Sequence, residues 1–121
     1  MLVACLEGLE HSTLANDIKN VVFIATDVHS AAQLCYARDY DGDGDQLVFH
    51  ELIAGPLSAI RGPAPVTLDP TLGPVMLYGE GGLFNYGTIR VDSANGARFS
   101  ADVRDEFGNV RVGSGLVLES E

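Results

Sequence analysis

The chain has 121 residues, a length that accommodates one domain with a hydrophobic core, and we treat residues 1–121 as a single domain. Seven Lys and Arg against seventeen Asp and Glu give a formal net charge of −10, which argues against nucleic acid as a partner and suits a surface that attracts cations. No apolar run approaches the length of a membrane span, and no basic region precedes the apolar N-terminus, so the sequence predicts no membrane partner and leaves the localisation unknown.

Apolar residues in the first twenty positions recur at helical spacing. Leu2, Leu6, Leu9, Thr13 and Ile18 are three to five positions apart, with acidic residues between them. This pattern predicts an amphipathic helix that ends near Asn20. The helix therefore leads directly into the next segment.

A continuous apolar run, Val21 to Ala25, follows the helix and is rich in β-branched residues, which predicts a strand covered on both faces. Asp27 and His29 come just after it, and side chains two residues apart on an extended chain point to the same side. A carboxylate and an imidazole so arranged can bind one metal ion or bridge two, at the strand end where open α/β sheets keep their chemistry. The simpler alternative is a hydrogen-bonded structural histidine.

A second candidate for cation binding is the acid-rich segment Asp39–Asp45. Counted from Asp39, acids occupy positions one, three, five and seven with Gly44 at six, as at the start of an EF-hand calcium loop. Position twelve is His50, however, where an EF-hand has a bidentate glutamate, and a strand pattern follows in place of an exiting helix. An ordinary solvated Asp-Gly turn is the simpler interpretation, and weak calcium binding is the alternative.

The chain from Leu47 onward is predicted to be mostly β. A strand is expected over Leu47–Ala54, in which His50 and Glu51 are better explained by a buried hydrogen bond than by catalysis. The segment Gly62–Pro74 holds four of the five prolines and is predicted to be loop. The short segment Gly79–Gly82 opens no helix, so it is not a phosphate-binding loop. It is predicted to be a flexible turn.

Three further apolar segments predict an antiparallel meander: Phe84–Val91, Ala97–Val103 and Val110–Leu118. The first two are joined through Asn95-Gly96, which is typical of a type I′ hairpin, and the last two through Asp105–Asn109. An N-terminal helix and central strand followed by a mostly antiparallel meander give an α/β fold that borders on α+β.

Isolated reactive residues do not form other catalytic patterns. Ser30 lacks the Gly-x-Ser-x-Gly elbow of a nucleophilic serine, and His11 falls on the polar side of the first helix, where we expect it to be solvated. Cys5 and Cys35 lie in apolar surroundings without metal or redox spacing and are predicted to be small core residues.

Four segments together resemble the alkaline phosphatase D (PhoD-like) family of metallophosphatases and phosphodiesterases. They are Asn20–Ser30, Phe49–Ala59, Leu68–Thr71 and Phe84–Gly87, in the order and approximate spacing of the family's C-terminal part. The first looks like the family's strand followed by Gly-Asp-Val-His, with Thr26 where glycine is usual. The resemblance covers nearly the whole chain but only the last part of a family member.

The resemblance implies the C-terminal part of a metallophosphatase-type β-sandwich, with Asp27 and His29 as metal ligands at a site that hydrolyses a phosphate ester. Family members are usually secreted or periplasmic and use calcium with iron, or other divalent ions, to activate water and to stabilise charge on phosphate. The N-terminal motifs that supply most ligands are absent from this chain. We therefore expect hydrolysis to be weak or absent unless a second copy or a complementing N-terminal half completes the site.

Three interpretations remain. The chain is the C-terminal portion of a PhoD-like phosphoesterase, a small calcium-binding β module that uses Asp39–Asp45, or an inactive truncated fragment. Part of a larger sandwich would expose a sheet edge and an apolar face, which predicts a homo-oligomer or a complex with the complementing half.

Overall fold

The structure is a computed structural model that describes residues 2–94 and 96–120, with side chains from residue 8 onward. It is a mostly β, α+β fold with one helix and two sheets in the described residues. The elements are α1 Leu2–Ala15, β1 Val21–Ala25, β2 Ala31–Arg38, β3 Leu47–Ile53, β4 Val75–Glu80, β5 Asn85–Asp92, β6 Arg98–Asp105 and β7 Leu116–Glu119. Within the described ranges, no helix combines the length and the apolar character that crossing a membrane requires.

The first sheet has the strand order β1-β3-β2-β4. β1 and β3 run parallel, with Val21 opposite Phe49 and Ala25 opposite Ile53, whereas β2 is antiparallel to both of its neighbours. The carboxyl ends of β1 and β3 therefore lie side by side. This is the edge at which the chain continues into Asp27 and His29.

The second sheet, β5-β6-β7, is antiparallel, and its Val103 packs on the face of the first sheet that carries Ala31 and Tyr78. Hydrogen bonds join the two sheets: Gln33 Nε2 donates to Ser114 O at 2.6 Å, Asn85 N donates to Pro56 O at 2.9 Å, and the side-chain amide of Asn85 exchanges two 2.8 Å bonds with the backbone of Gly55. An ion pair joins them as well, because Arg111 Nη2 lies 2.6 Å from Glu80 Oε1. These contacts set the spacing of the gap between the sheets.

The main core lies on the other face of the first sheet. Tyr36 and Phe49 stack with ring centroids 4.5 Å apart, and Phe23 meets Phe49 edge-on at 5.4 Å. The helix contributes Leu9 to this cluster. The buried members are Ala32, Leu34, Tyr36, Leu47, Phe49 and Ile53.

The helix ends five residues earlier than predicted. Asp17 and Asn20 adopt left-handed φ values of 52° and 57°, which a continuing helix cannot accommodate. Ile18 consequently falls outside α1 and is 50% exposed. The side chains of Leu2 and Leu6, on which the helical pattern also rested, lie outside the described residues.

The prediction that β1 is covered on both faces is wrong. β1 is an edge strand of the sheet, and its Phe23 and Ile24 are 43% and 68% exposed. The strand buried on both faces is instead β2, which was not predicted, because its residues Ala31–Tyr36 lie in the middle of the sheet. A β-branched run indicates a strand, but its coverage depends on its place in the sheet.

The meander is shorter at its end than predicted. β5 and β6 pair as expected, although Asn95 of their connection lies outside the described residues. Val110 forms only an isolated bridge to Arg104, and β7 begins at Leu116. Ser114 explains the gap, because its hydroxyl bonds to both the N–H and the C=O of Val103 in place of a strand partner.

The predicted loop over Gly62–Pro74 contains no strand and one short 3-10 turn, Pro70–Leu72. The prediction of a flexible turn over Gly79–Gly82 is wrong for its first half, because Gly79 and Glu80 end β4, an unpredicted strand. Only Gly81 and Gly82 lie outside it. Their position matters for the site described next.

Candidate functional site

Asp27 and His29 lie close together beyond the end of β1. Asp27 Oδ1 is 3.8 Å from His29 Nε2, and the side chains are 97% and 39% exposed, respectively. Both residues have left-handed φ values, 70° and 62°, so their proximity comes from a folded-back turn and not from alternation along a strand. Thr26, between β1 and this turn, has no left-handed backbone.

A glycine-dependent contact holds this turn in place. Gly62 N donates to His29 O at 2.7 Å, and Gly82 N donates to Gly62 O at 2.8 Å. A Cβ on Gly62 would lie 2.7 Å from His29 O, and one on Gly81 would lie 2.2 Å from Ala64 N, so neither position has room for a side chain. The loop that follows Ile60 therefore supports His29 by direct backbone packing.

A cavity of about 300 Å³ surrounds the pair. It is lined by Thr26, Asp27, His29 and residues 54–58, which follow β3. Its position follows from the parallel pairing of β1 and β3, whose carboxyl ends open onto the same space. One carboxylate and one imidazole can bind a cation, but a catalytic ion needs further ligands or water.

Among the described residues, three metal-ligating side chains come together at a different place. Carboxylate oxygens of Glu10, Asp39 and Asp41 all lie within 4.8 Å of one another. Glu10 is fully buried and accepts hydrogen bonds from the backbone N–H groups of Tyr40, Asp41 and Leu47 at 2.8, 2.9 and 3.1 Å. Glu10 was not predicted as a ligand, because the backbone groups that it binds lie thirty or more positions away.

The loop organises its own carboxylates. Asp39 accepts hydrogen bonds from Gly44 N at 2.9 Å and Gly42 N at 2.6 Å, and these bonds lower its pKa. For Asp41, the bond from Asp43 N lowers the pKa, but burial and the negative charges of Asp43 and Glu10 outweigh it, so that the pKa is raised. The carboxylates of Asp41, Asp43 and Glu10 therefore repel one another, and a bound cation would relieve this repulsion.

His50 does not make the hydrogen bond expected of it. The residue is 9% exposed, and its Nδ1 has no hydrogen-bond partner in the described part of the chain. Burial lowers the pKa of His50. Its neighbour Glu51 does accept a bond, from the Tyr36 hydroxyl at 2.7 Å, and burial together with this carboxylate raises the pKa of Tyr36.

The remaining reactive residues are separate from both clusters. His11 is exposed, as expected, and Ser30 is 4% exposed. Cys35 is a free thiol that is only partly buried, and burial raises its pKa. The side chain of Cys5 lies outside the described residues.

Comparisons with models of protein families, with curated proteins and with solved structures found no significant match to this chain.

Proposed function

We propose that this chain is the C-terminal portion of a PhoD-like metal-dependent phosphoesterase, to which Asp27 and His29 contribute a pair of metal ligands. The observation that carries the proposal is the 3.8 Å separation of Asp27 Oδ1 and His29 Nε2 in an open cavity at the carboxyl ends of two parallel strands. The order of the four segments that resemble the PhoD-like family also supports the proposal.

The pair needs little movement to bind an ion. Two ligand atoms each about 2.1 Å from one metal lie roughly 3 Å apart, so the two side chains must approach by less than about 1 Å. Asp27 is almost fully exposed and is free to rotate by that amount. Its second carboxylate oxygen remains available for water or for a second ion.

The net charge of −10 favours a metal-dependent route to this chemistry. An acidic protein repels a phosphate ester unless bound cations reverse the local charge. Calcium with iron, as the resemblance implies, would supply that charge and would activate water, while Asp27 and His29 orient the ions.

The site also needs more ligands than this pair. β1 is an edge strand with exposed apolar residues, Phe23 and Ile24, and it leads straight into Asp27. A strand from a complementing half, or from a second copy, that paired with this edge would bring its own side chains next to Asp27 and complete a metallophosphatase-type sandwich. The proposal therefore includes an assembly, and the isolated chain is expected to be weakly active or inactive.

Manganese titration of the isotope-labelled chain tests the pair directly. We expect Mn²⁺ to broaden the NMR signals of residues 26–30, and we expect this broadening to be lost in Asp27→Asn and kept in Asp41→Asn. Broadening that persists in Asp27→Asn, or that never reaches residues 26–30, would contradict the proposal.

Hydrolysis of a nitrophenyl phosphoester tests the incompleteness. The purified chain should turn over little or no substrate in the presence of Ca²⁺ and Fe³⁺. Clear turnover that Asp27→Ala abolishes would show that no complementing chain is required.

A calcium-binding module is the second candidate, favoured by the approach of Glu10 to Asp39 and Asp41. Glu10 supplies from α1 a carboxylate that the loop lacks at its twelfth position. Its oxygens already accept three backbone hydrogen bonds, so calcium must displace some of them, and we expect a dissociation constant on the order of a millimolar. Calorimetry should show calcium binding that the Asp41→Asn, Asp43→Asn double variant loses, and an unchanged titration would remove this candidate.

A further inference from the structure

A cavity of about 270 Å³ lies between the two sheets and is distinct from the cavity around Asp27 and His29. Its walls are mostly aliphatic. Among the lining residues are Ile24, Leu52 and Ile53 from the first sheet and Ile89, Ala101 and Val103 from the second.

Four polar side chains that line this cavity already have hydrogen-bond partners: Gln33, Asn85, Thr88 and Asp102. Gln33 donates to Ser114 O, and the Asn85 amide is paired with Gly55. Thr88 donates to Asp102, which also accepts from Arg104 Nε at 2.9 Å. Water inside such a cavity gains few hydrogen bonds, so the space favours an apolar occupant.

The cavity adjoins the space around the candidate metal ligands. Both spaces are lined by Thr26, Ala54, Gly55 and Leu57. Leu57 is 75% exposed and Ile24 is 68% exposed, which places both at the open rim. A molecule held at Asp27 and His29 can therefore extend into the gap between the sheets.

We propose that the inter-sheet cavity holds the apolar organic group of a phosphate ester whose phosphate lies at Asp27 and His29, an inference that rests on the proposed function. The size fits an aromatic group, since a cavity of about 150 Å³ in another protein binds benzene, and this one is nearly twice as large. The substrate class is accordingly an ester of a fused aromatic or comparable apolar alcohol.

Titration with 1-naphthol in the absence of metal, followed by amide chemical shifts, tests the cavity by itself. We expect shifts at Gly87, Ala101 and Val103. Gly87→Val should weaken binding by roughly tenfold or more, because a Cβ on Gly87 points to within 3.4 Å of Ala54 and further methyl groups would fill the space. Gly115→Val is the matched control, because a Cβ there has nothing within 4 Å.

A second pair of variants tests the cavity in case Gly87→Val does not fold. Ile24→Ser removes an exposed side chain at the rim and should weaken naphthol binding by roughly fivefold. Val112→Ser, at a residue that is 96% exposed, should leave it unchanged. Naphthol shifts that are absent from the cavity, or that both Gly87→Val and Ile24→Ser leave unaltered, would overturn the proposal. So would shifts of the same amides that follow protein concentration without naphthol, since these would show that a second copy fills the gap.

Titration with 1-naphthyl phosphate and Mn²⁺ separates this inference from the function on which it rests. We expect tighter binding than for naphthol, with the gain lost in Asp27→Asn. If naphthol binds the cavity but Asp27→Asn changes neither the phosphate's affinity nor the broadening by Mn²⁺, the proposed function fails and the ester assignment falls with it. If Mn²⁺ broadens residues 26–30 but naphthol does not bind, the metal pair stands and the cavity proposal is overturned.

Discussion

Replacement of Glu10 by alanine tests how strongly one buried carboxylate holds α1 to the first sheet. Glu10 is fully buried, and it accepts backbone hydrogen bonds from Tyr40 and Asp41 in the acidic loop and from Leu47 at the start of β3. The three bonds connect the helix to both ends of the segment between β2 and β3. Their loss should therefore destabilise the whole domain and not only the loop.

The size of the effect follows from where the abandoned donors lie. A hydrogen bond to a charged acceptor contributes about 1.5–3 kcal/mol, but the N–H groups of Tyr40 and Asp41 lie in the partly exposed loop and can turn to water. Leu47 is 1% exposed, so its N–H stays unpaired at a cost of about 1–3 kcal/mol. We expect Glu10→Ala to lower the free energy of unfolding by about 4 kcal/mol, a large part of the roughly 5–15 kcal/mol of a typical domain.

Urea unfolding followed by circular dichroism measures this change. For a slope near 2 kcal/mol per molar urea, the midpoint should fall by about 2 M with the slope unchanged. Glu10→Gln keeps the volume and one acceptor oxygen and should lose about half as much stability. Glu106→Gln, at an exposed turn position, is the control. A loss below about 1 kcal/mol in Glu10→Ala would refute the reasoning, because three charge-assisted bonds cannot then be stabilising the fold.

Three further changes test other contacts. Burial lowers the pKa of His50 below its ordinary value of 6.5, so the unfolded chain binds a proton more readily than the folded protein. The free energy of unfolding should therefore fall as the pH drops below about 6.5. His50→Leu should remove that slope. Gly81→Ala forces a Cβ to within 2.2 Å of backbone atoms and should cost about 2–4 kcal/mol in urea unfolding, with a shifted His29 amide signal in NMR spectra. Arg111→Met removes the paired bonds to Glu80 and should lower the thermal midpoint by about 3 °C, and by less at high salt.

Each of these predictions has a control or a contradicting outcome. An equal pH slope in His50→Leu would mean that another group titrates. Gly115→Ala, which has open space around its Cβ, should be neutral where Gly81→Ala is not. Arg98→Met breaks a longer 3.7 Å ion pair with Glu119 and should matter less than Arg111→Met.

Local sequence patterns predicted the elements whose character depends on nearby residues. The β-branched run Val21–Ala25 is a strand with the predicted bounds, and β5 pairs with β6 across the predicted turn region. The central strand β2 was not predicted, because its character depends on residues that are distant in sequence. Its residues Ala31–Leu34 are all buried, so they show no alternation, and only the neighbouring strands β3 and β4 make them a strand.

The candidate sites divide in the same way. The spacing of Asp27 and His29 identified the pair, but its geometry comes from two left-handed residues and from Gly62, which packs on His29 from a distant loop. The acids of Asp39–Asp45 were evident in the sequence, whereas the buried Glu10 that reaches them was not.

The sequence by itself determined that this is an acidic chain with an N-terminal helix, an Asp-x-His pair after its first strand, an acid-rich turn and a mostly β part from Leu47 onward. These features depend on composition and on side-chain periodicity over a few neighbouring residues. Only the tertiary structure decided that β1 lies at an edge, that Glu10 meets the acid loop and that an apolar cavity adjoins the Asp27–His29 pair. The reason is that each of these contacts joins residues far apart in sequence, and no local pattern encodes which strand will lie next to which.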